Sequence, residues 1–178
     1  QFLLLDRFVT GNPTSTLIRS DLVRGRRPFY TESSPVEDVD LAFDLLRTSD
    51  FGFVHQVLTY TRRENESIMS GLRTFGVMEA TRLIAIRKYG PIFLTPEEFA
   101  SRRRAIEHRY YLNLGEGVWR RQSKRFWQFH RQALQWSGTD LQVGRVGIYA
   151  ILAALSLVLN PLATLSRIGR RLRRHSNS

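Results

Sequence analysis

The stretch Ser34-Pro35-Val36-Glu37-Asp38-Val39-Asp40 has the pattern of an acidic helix start. Ser34 is the predicted N-cap, Pro35 suits the first helical position, and Glu37 lies where a capping box places a carboxylate. The predicted helix covers residues 35–48, with Glu37 and Asp38 in its open first turn. A carboxylate there can take a proton from a bound hydroxyl. The same acids could serve only to complement the helix dipole, and the local sequence leaves both interpretations open.

Both flanks of this helix predict β-strands. Residues 14–19 are rich in Thr, Leu and Ile and follow the turn Gly11-Asn12-Pro13. Residues 51–61 are largely apolar and predict a strand buried on at least one side.

Three segments in this order carry a family resemblance: the stretch from Gly11 to Asp21, the acidic helix start, and the stretch from Asp50 through Phe51-Gly52-Phe53 to Arg63. Together they resemble the second half of the catalytic domain of inverting, bacterial-type family-2 glycosyltransferases, over roughly residues 6–70. The resemblance implies an α/β fold class: edge strands and a helix of a partial GT-A nucleotide-sugar transferase domain, followed by an α-helical extension.

The resemblance also implies a chemistry. A sugar would pass from a nucleotide-sugar donor to an acceptor hydroxyl with inversion, with Asp38 as general base and Glu37 orienting the base or contacting the acceptor. The residues expected to bind acceptor or donor are Gly11, Pro13, Thr14, Arg19, His55, Arg62 and Arg63. Two have equally simple structural interpretations: Arg19 as a salt-bridge partner of Asp21 or Glu37, and His55 as a core residue. Asp40 is interpreted as structural.

Members of this family bind a divalent metal, Mg or Mn, through an upstream half that also holds the nucleotide. This chain starts at Gln1-Phe2-Leu3 with no such half, so we expect it to be a fragment that is inactive by itself. No metal ligand is assigned within it, and its four His have no zinc-ligand spacing.

The absence of Cys and the net charge limit the chemistry and the kinds of partner that the chain can have. The 178 residues contain no Cys, which excludes disulfides and thiolate chemistry. The net charge of +11 indicates an anionic partner, such as a phosphate-bearing substrate or anionic lipid.

The remainder of the chain is predicted to be helical, with residues 71–138 an extension and 139–178 a separate tail. Predicted helices cover residues 70–89, ended by Gly90-Pro91; 96–113, opened by a capping box at Thr95 and broken at Gly115-Glu116-Gly117; and 118–136, ended near Gly138.

The tail combines an apolar run, Val146 to Leu159, with arginines at 167, 170, 171, 173 and 174. Three interpretations remain open: a helix on an anionic membrane surface, a spanning helix, and a core or interface helix. The first predicts a cytoplasmic protein held at the inner face of the cell membrane. An alternative function is a non-enzymatic basic helical module that binds anionic lipid or nucleic acid. Nucleic acid is disfavoured because no recognition motif is present and the charge lies in the tail and loops.

Overall fold

A computed structural model of the chain describes residues 16–31, 36–60 and 75–159, with side chains as far as Ser156. Six α-helices lie within these ranges: α1 (Ser20–Arg24), α2 (Glu37–Leu45), α3 (Val77–Phe93), α4 (Pro96–Trp119), α5 (Lys124–Trp136) and α6 (Val143–Leu159). None of these helices has both the length and the apolar composition needed to cross a membrane.

The predicted α/β fold class is wrong for the described residues. Helix makes up 67% of them and they contain no strand, so the described part is all-helical and is not a GT-A fragment. Residues 16–19 are not assigned to a strand, and residues 51–60 are irregular and exposed along their whole length. A strand needs a neighbouring backbone for its N–H and C=O groups. Residues 51–60 form no strand with any other described segment, so their apolar composition does not produce a buried strand here.

The acidic helix start forms a helix that begins slightly later than predicted. Val36 occupies the N-cap position of α2 without a side-chain cap, and the three acids Glu37, Asp38 and Asp40 lie in the first turn. Ser34 and Pro35 lie outside the described residues. The inner face of α2 carries Val39 and Phe43, which are buried in the same core as α3.

α3 continues through Gly90-Pro91 instead of ending there. Pro91 lies in the last turn of the helix, so its missing N–H removes only one helical hydrogen bond. The helix ends where the Leu94 N–H donates to the Gly90 carbonyl at 2.9 Å. Gly90 is required by packing, because a β-carbon there would lie 2.5 Å from the Phe99 ring of α4.

α4 begins with the predicted capping box. The Thr95 hydroxyl accepts from the Glu98 N–H at 3.3 Å, and the Glu98 carboxylate accepts from the Thr95 N–H at 3.0 Å. The predicted break at Gly115 and Gly117 is wrong, since α4 continues to Trp119. A β-carbon at Gly115 would lie 2.5 Å from the Tyr149 carbonyl carbon and oxygen, so this glycine lets α4 and α6 approach closely.

α5 starts at Lys124, six residues after the predicted start at 118, because a turn separates it from α4. Arg121 takes a positive φ of 47° in that turn, and the Ser123 side chain caps the new helix. The predicted end near Gly138 is confirmed: α5 stops at Trp136, and Gly138 has a φ of 76°.

The buried centre of the bundle contains a Tyr–His pair. The His130 ring accepts at Nδ1 from the Tyr110 hydroxyl, 2.8 Å away, and donates from Nε2 to the Phe75 carbonyl, 2.7 Å away. Only the neutral imidazole satisfies this arrangement, and burial lowers the pKa of His130 to about 4. The Tyr110 pKa is raised, also by burial. Because His130 is fully buried with both ring nitrogens in use, its role is structural.

Candidate functional site

A cleft of about 490 Å³ lies between the segment that precedes and enters α1 and the outer face of α2. This volume falls within the range of small-molecule sites. Apolar side chains of α2 form much of its lining, and hydroxyl-bearing and charged groups contribute the rest. The lining residues are Thr16, Leu17, Ile18, Arg19, Leu22, Tyr30, Asp38, Leu41, Ala42, Leu45, Leu46, Thr48, Ser49, Asp50 and Phe51.

Asp38 contributes a carboxylate to this cleft from the first turn of α2. The residue is exposed, and its Oδ1 accepts from the Val39 N–H at 2.9 Å, which orients the carboxylate at the open end of the helix. The partial positive charge of a helix N-terminus stabilises an ionised carboxylate there. Asp38 therefore combines solvent access, fixed orientation and negative charge, which is what a base for a bound hydroxyl requires.

Arg19 contributes a guanidinium to the lining of the cleft. Its Nη2 lies 2.7 Å from Asp21 Oδ2 and its Nε lies 3.1 Å from Asp21 Oδ1. The hydrogen bond from Arg19 lowers the pKa of Asp21. Both side chains are well exposed, so the pair is screened and contributes little to stability. The salt bridge expected as the structural interpretation of Arg19 is therefore present, and the exposed guanidinium still borders the cleft.

An ion pair fixes the loop that carries Tyr30. Arg26 donates to Asp44 of α2 at 2.7 Å and to the Phe29 carbonyl at 3.0 Å, which joins the loop to the helix. Burial opposes the ionised form, but hydrogen bonds from Arg26 and Tyr89 lower the pKa of Asp44. The Phe29 and Tyr30 rings pack edge to face, 4.9 Å apart. The Tyr30 side of the cleft is thus held to α2 by charge pairing.

The inner side of α2 is anchored by Asp40, which has a different role from Asp38. Asp40 is only 3% exposed, its Oδ1 lies 3.0 Å from the Tyr89 hydroxyl, and its Oδ2 lies 3.0 Å from Lys88 Nζ. These contacts join α2 to α3. Asp40 is therefore structural, as its position two residues beyond Asp38 predicted.

The predicted site residues fall into three groups. Asp38 and Arg19 meet at one cleft. Glu37 lies in the first turn of α2 but does not line the cleft, and His55 is exposed on the irregular segment, where its ring contacts Phe53 instead of a core. The others, Gly11, Pro13, Thr14, Arg62 and Arg63, lie outside the described residues.

Sequence reasoning missed five polar residues of the cleft: Thr16, Tyr30, Thr48, Ser49 and Asp50. Asp50 begins the segment that carries the family resemblance, but the sequence assigned it no role. Tyr30 depends on the ion pair between Arg26 and Asp44, eighteen positions apart, which no local pattern signals.

Among the residues that the structure describes, no group of three or more His, Asp or Glu side chains could hold a metal ion. The resemblance assigns the ligands of its divalent metal to an upstream half, so the expectation of a metal stays a prediction.

Comparison of the chain with protein family models, curated proteins and solved structures gave no match in any of the three. The cleft is therefore interpreted from its own residues.

Proposed function

We propose that the cleft is the acceptor side of a glycosyl-transfer site with Asp38 as its base. The observation that carries the proposal is the placement of Asp38: an exposed, oriented carboxylate at a helix N-terminus, on the wall of a cleft of about 490 Å³. The α/β fold implied by the sequence resemblance is not part of this proposal, which depends on the chemistry of the cleft.

The lining of the cleft suits a sugar-like acceptor. Thr16, Thr48 and Ser49 can exchange hydrogen bonds with hydroxyl groups, while Leu41 and Leu45 offer apolar surface to the carbon face of a ring. Arg19 supplies N–H donors that it can share between Asp21 and a bound oxygen, because its present ion pair is exposed.

The acceptor hydroxyl gives its proton to the Asp38 carboxylate while the acceptor oxygen forms a bond to the anomeric carbon of a nucleotide sugar. The bond from that carbon to the diphosphate oxygen breaks, and its electron pair leaves with the nucleoside diphosphate. Attack from the face opposite the leaving group inverts the anomeric centre. The groups that hold the diphosphate are expected outside the described residues.

Nucleotide release by the protein, measured over a panel of nucleotide sugars, tests this proposal. Asp38→Asn should lower the rate about 10²- to 10⁴-fold while donor binding persists. Glu97→Gln is the matched control, because Glu97 is also an exposed acid in a helical first turn, at α4, and does not line the cleft. An Asp38→Asn protein as active as its parent would refute the assignment.

A further inference from the structure

The outward face of α6 is aliphatic where the surface of a protein in water is normally polar. Ile148, Ile151, Leu152 and Leu155 follow the i, i+3, i+4, i+7 spacing of a single helical stripe, and their exposed fractions are 60%, 61%, 43% and 48%. We call these four residues the α6 stripe. A contiguous exposed apolar patch of this kind indicates an interaction site.

The opposite face of α6 already packs against α4. Val146, Ala150 and Ala153 are buried there, and Gly115 of α4 meets the α6 backbone at Tyr149. A helix that packs on one side and is aliphatic on the other is hydrophobic all round, a composition typical of a helix with both faces covered. α4 covers one face of α6, and the α6 stripe is exposed on the other.

Hydrogen bonds and ion pairs at both sides of the α4–α6 interface prevent α6 from rotating its stripe inward. Arg145 at its first turn lies 3.2 Å from Glu107, which also lies 2.6 Å from Arg87 of α3. Tyr149 bonds to His108 at 3.0 Å, and the Trp119 indole N–H donates to the Ala150 carbonyl at 2.7 Å. The orientation of the stripe is therefore fixed by α3 and α4.

The positive charge of the sequence from residue 141 onward favours an anionic partner for the α6 stripe. From residue 141 to the end, the chain contains six arginines and no Asp or Glu. Arg145 is paired with Glu107, and the other five are Arg167, Arg170, Arg171, Arg173 and Arg174. An aliphatic stripe followed by arginines without any acidic residue is complementary to a surface whose apolar layer lies beneath an anionic layer. The interface of an anionic lipid bilayer has this arrangement.

Trp119 is a further exposed side chain that is attached to α6. Its side chain is bonded to α6 and remains 58% exposed, so an amphipathic ring borders the helix. Tryptophan favours the level of the lipid headgroups, where its ring is apolar and its N–H finds a partner.

We propose that the α6 stripe docks this protein on an anionic lipid membrane, with Trp119 at the headgroup level and the positive charge of the arginine-rich sequence adding electrostatic attraction to anionic lipid. Because the inward side of α6 is occupied by α4, the helix lies along the membrane surface with only the stripe in contact with lipid. This inference is independent of the proposed function of the cleft.

Co-sedimentation of the full chain with large unilamellar vesicles tests the proposal, using phosphatidylcholine alone and phosphatidylcholine mixed with phosphatidylglycerol. The double variant Ile148→Gln, Ile151→Gln should weaken partitioning to the anionic vesicles on the order of tenfold, because two aliphatic side chains no longer enter the lipid. The matched control is Met78→Gln, Ile92→Gln, which removes two exposed apolar side chains from α3 and should leave partitioning unchanged.

A second variant, Arg170→Gln, Arg171→Gln, should reduce the preference for anionic over neutral vesicles and should flatten the dependence of binding on salt. Two results would overturn the proposal. One is equal vesicle binding by the stripe variant and its parent. The other is a parent that does not bind vesicles but forms a concentration-dependent dimer that the stripe variant loses, since the stripe would then meet a second copy of this chain.

Discussion

Tyr89 of α3 and Asp40 of α2 form a buried hydrogen bond, with the phenolic oxygen 3.0 Å from Asp40 Oδ1. The same hydroxyl lies 3.0 Å from Asp44 Oδ1, so one proton serves two carboxylates one helical turn apart. Burial, reinforced by the Asp40 charge, raises the pKa of Tyr89 and keeps the phenol in its donating form. The helix that carries Asp38 is thereby attached to the body of the bundle.

Replacing Tyr89 with Phe should lower the free energy of unfolding by about 2 kcal/mol, the usual contribution of a hydrogen bond to a buried charged group. The ring contact with Phe43, at 4.9 Å between centroids, would be retained. Denaturant titration followed by circular dichroism measures the change, and Tyr60→Phe at a 91% exposed position is the control. Equal stabilities of the two variants would contradict this role for Tyr89.

Local sequence signals predicted the elements whose determinants are local. The capping box of Thr95 and Glu98 needs residues three apart, and the acidic start of α2 needs only its own first turn. Asp38 and Arg19 were assigned to one site on a family resemblance and not on their spacing; both line the cleft, and their roles stay predictions.

The errors concern residues whose role depends on distant neighbours. Gly115 has the pattern of a helix breaker in sequence, but the helix is preserved because the glycine packs against Tyr149, thirty-four positions away. Residues 51–60 have the apolar composition of a buried strand, and only the structure reveals that no described segment pairs with them. Tyr30 reaches the cleft through an ion pair between Arg26 and Asp44 that the sequence does not signal.

Gly115→Ala should destabilise the protein by about 1–3 kcal/mol, because the added methyl meets backbone that cannot rotate away. Gly147→Ala is the matched test of propensity alone: Gly147 is an exposed interior position of α6, and a β-carbon there meets nothing within 4 Å. That variant should gain about 0.5–1 kcal/mol. Thermal unfolding of both variants and the parent shows whether each substitution raises or lowers stability. A stabilised Gly115→Ala protein would rule out close packing between α4 and α6.

The protein should lose stability in mild acid because the buried His130 is neutral in the folded state. Its pKa falls from 6.5 in the unfolded chain to about 4 in the folded protein, so the unfolded state binds the proton first as pH decreases. The stabilisation is complete above pH 6.5 and is lost between there and pH 4, a change of about 3 kcal/mol. Denaturant titrations from pH 7 to pH 4 should reveal this slope in the parent and a shallower one in His130→Gln. The exposed His55 provides the control, since His55→Gln should keep the parental slope.

Arg26→Gln should raise the pKa of Asp44, because the guanidinium that holds it low is removed while its burial remains. Since the folded pKa of Asp44 is now below its ordinary 3.8, its contribution to stability is present above that pH and is lost as pH falls through the folded value. The variant should therefore lose part of this contribution at neutral pH. Carboxyl ¹³C NMR titration measures the pKa directly, with the exposed Arg47→Gln as control. An unchanged Asp44 pKa would contradict the ion pair that holds the Tyr30 loop.

Asp38 and Asp40 lie two positions apart and should respond in opposite ways to the same substitution. Asp40→Asn weakens a buried contact with Lys88, 3.0 Å away, and should cost about 1–3 kcal/mol of stability. Asp38→Asn alters an exposed first-turn carboxylate and should change stability by less than about 0.5 kcal/mol. The order reverses for nucleotide release: Asp38→Asn should lower its rate about 10²- to 10⁴-fold, and Asp40→Asn should retain the rate at temperatures where that variant is folded. Loss of release caused equally by both substitutions, with both proteins folded, would mean that Asp38 acts by supporting the helix and not as the base.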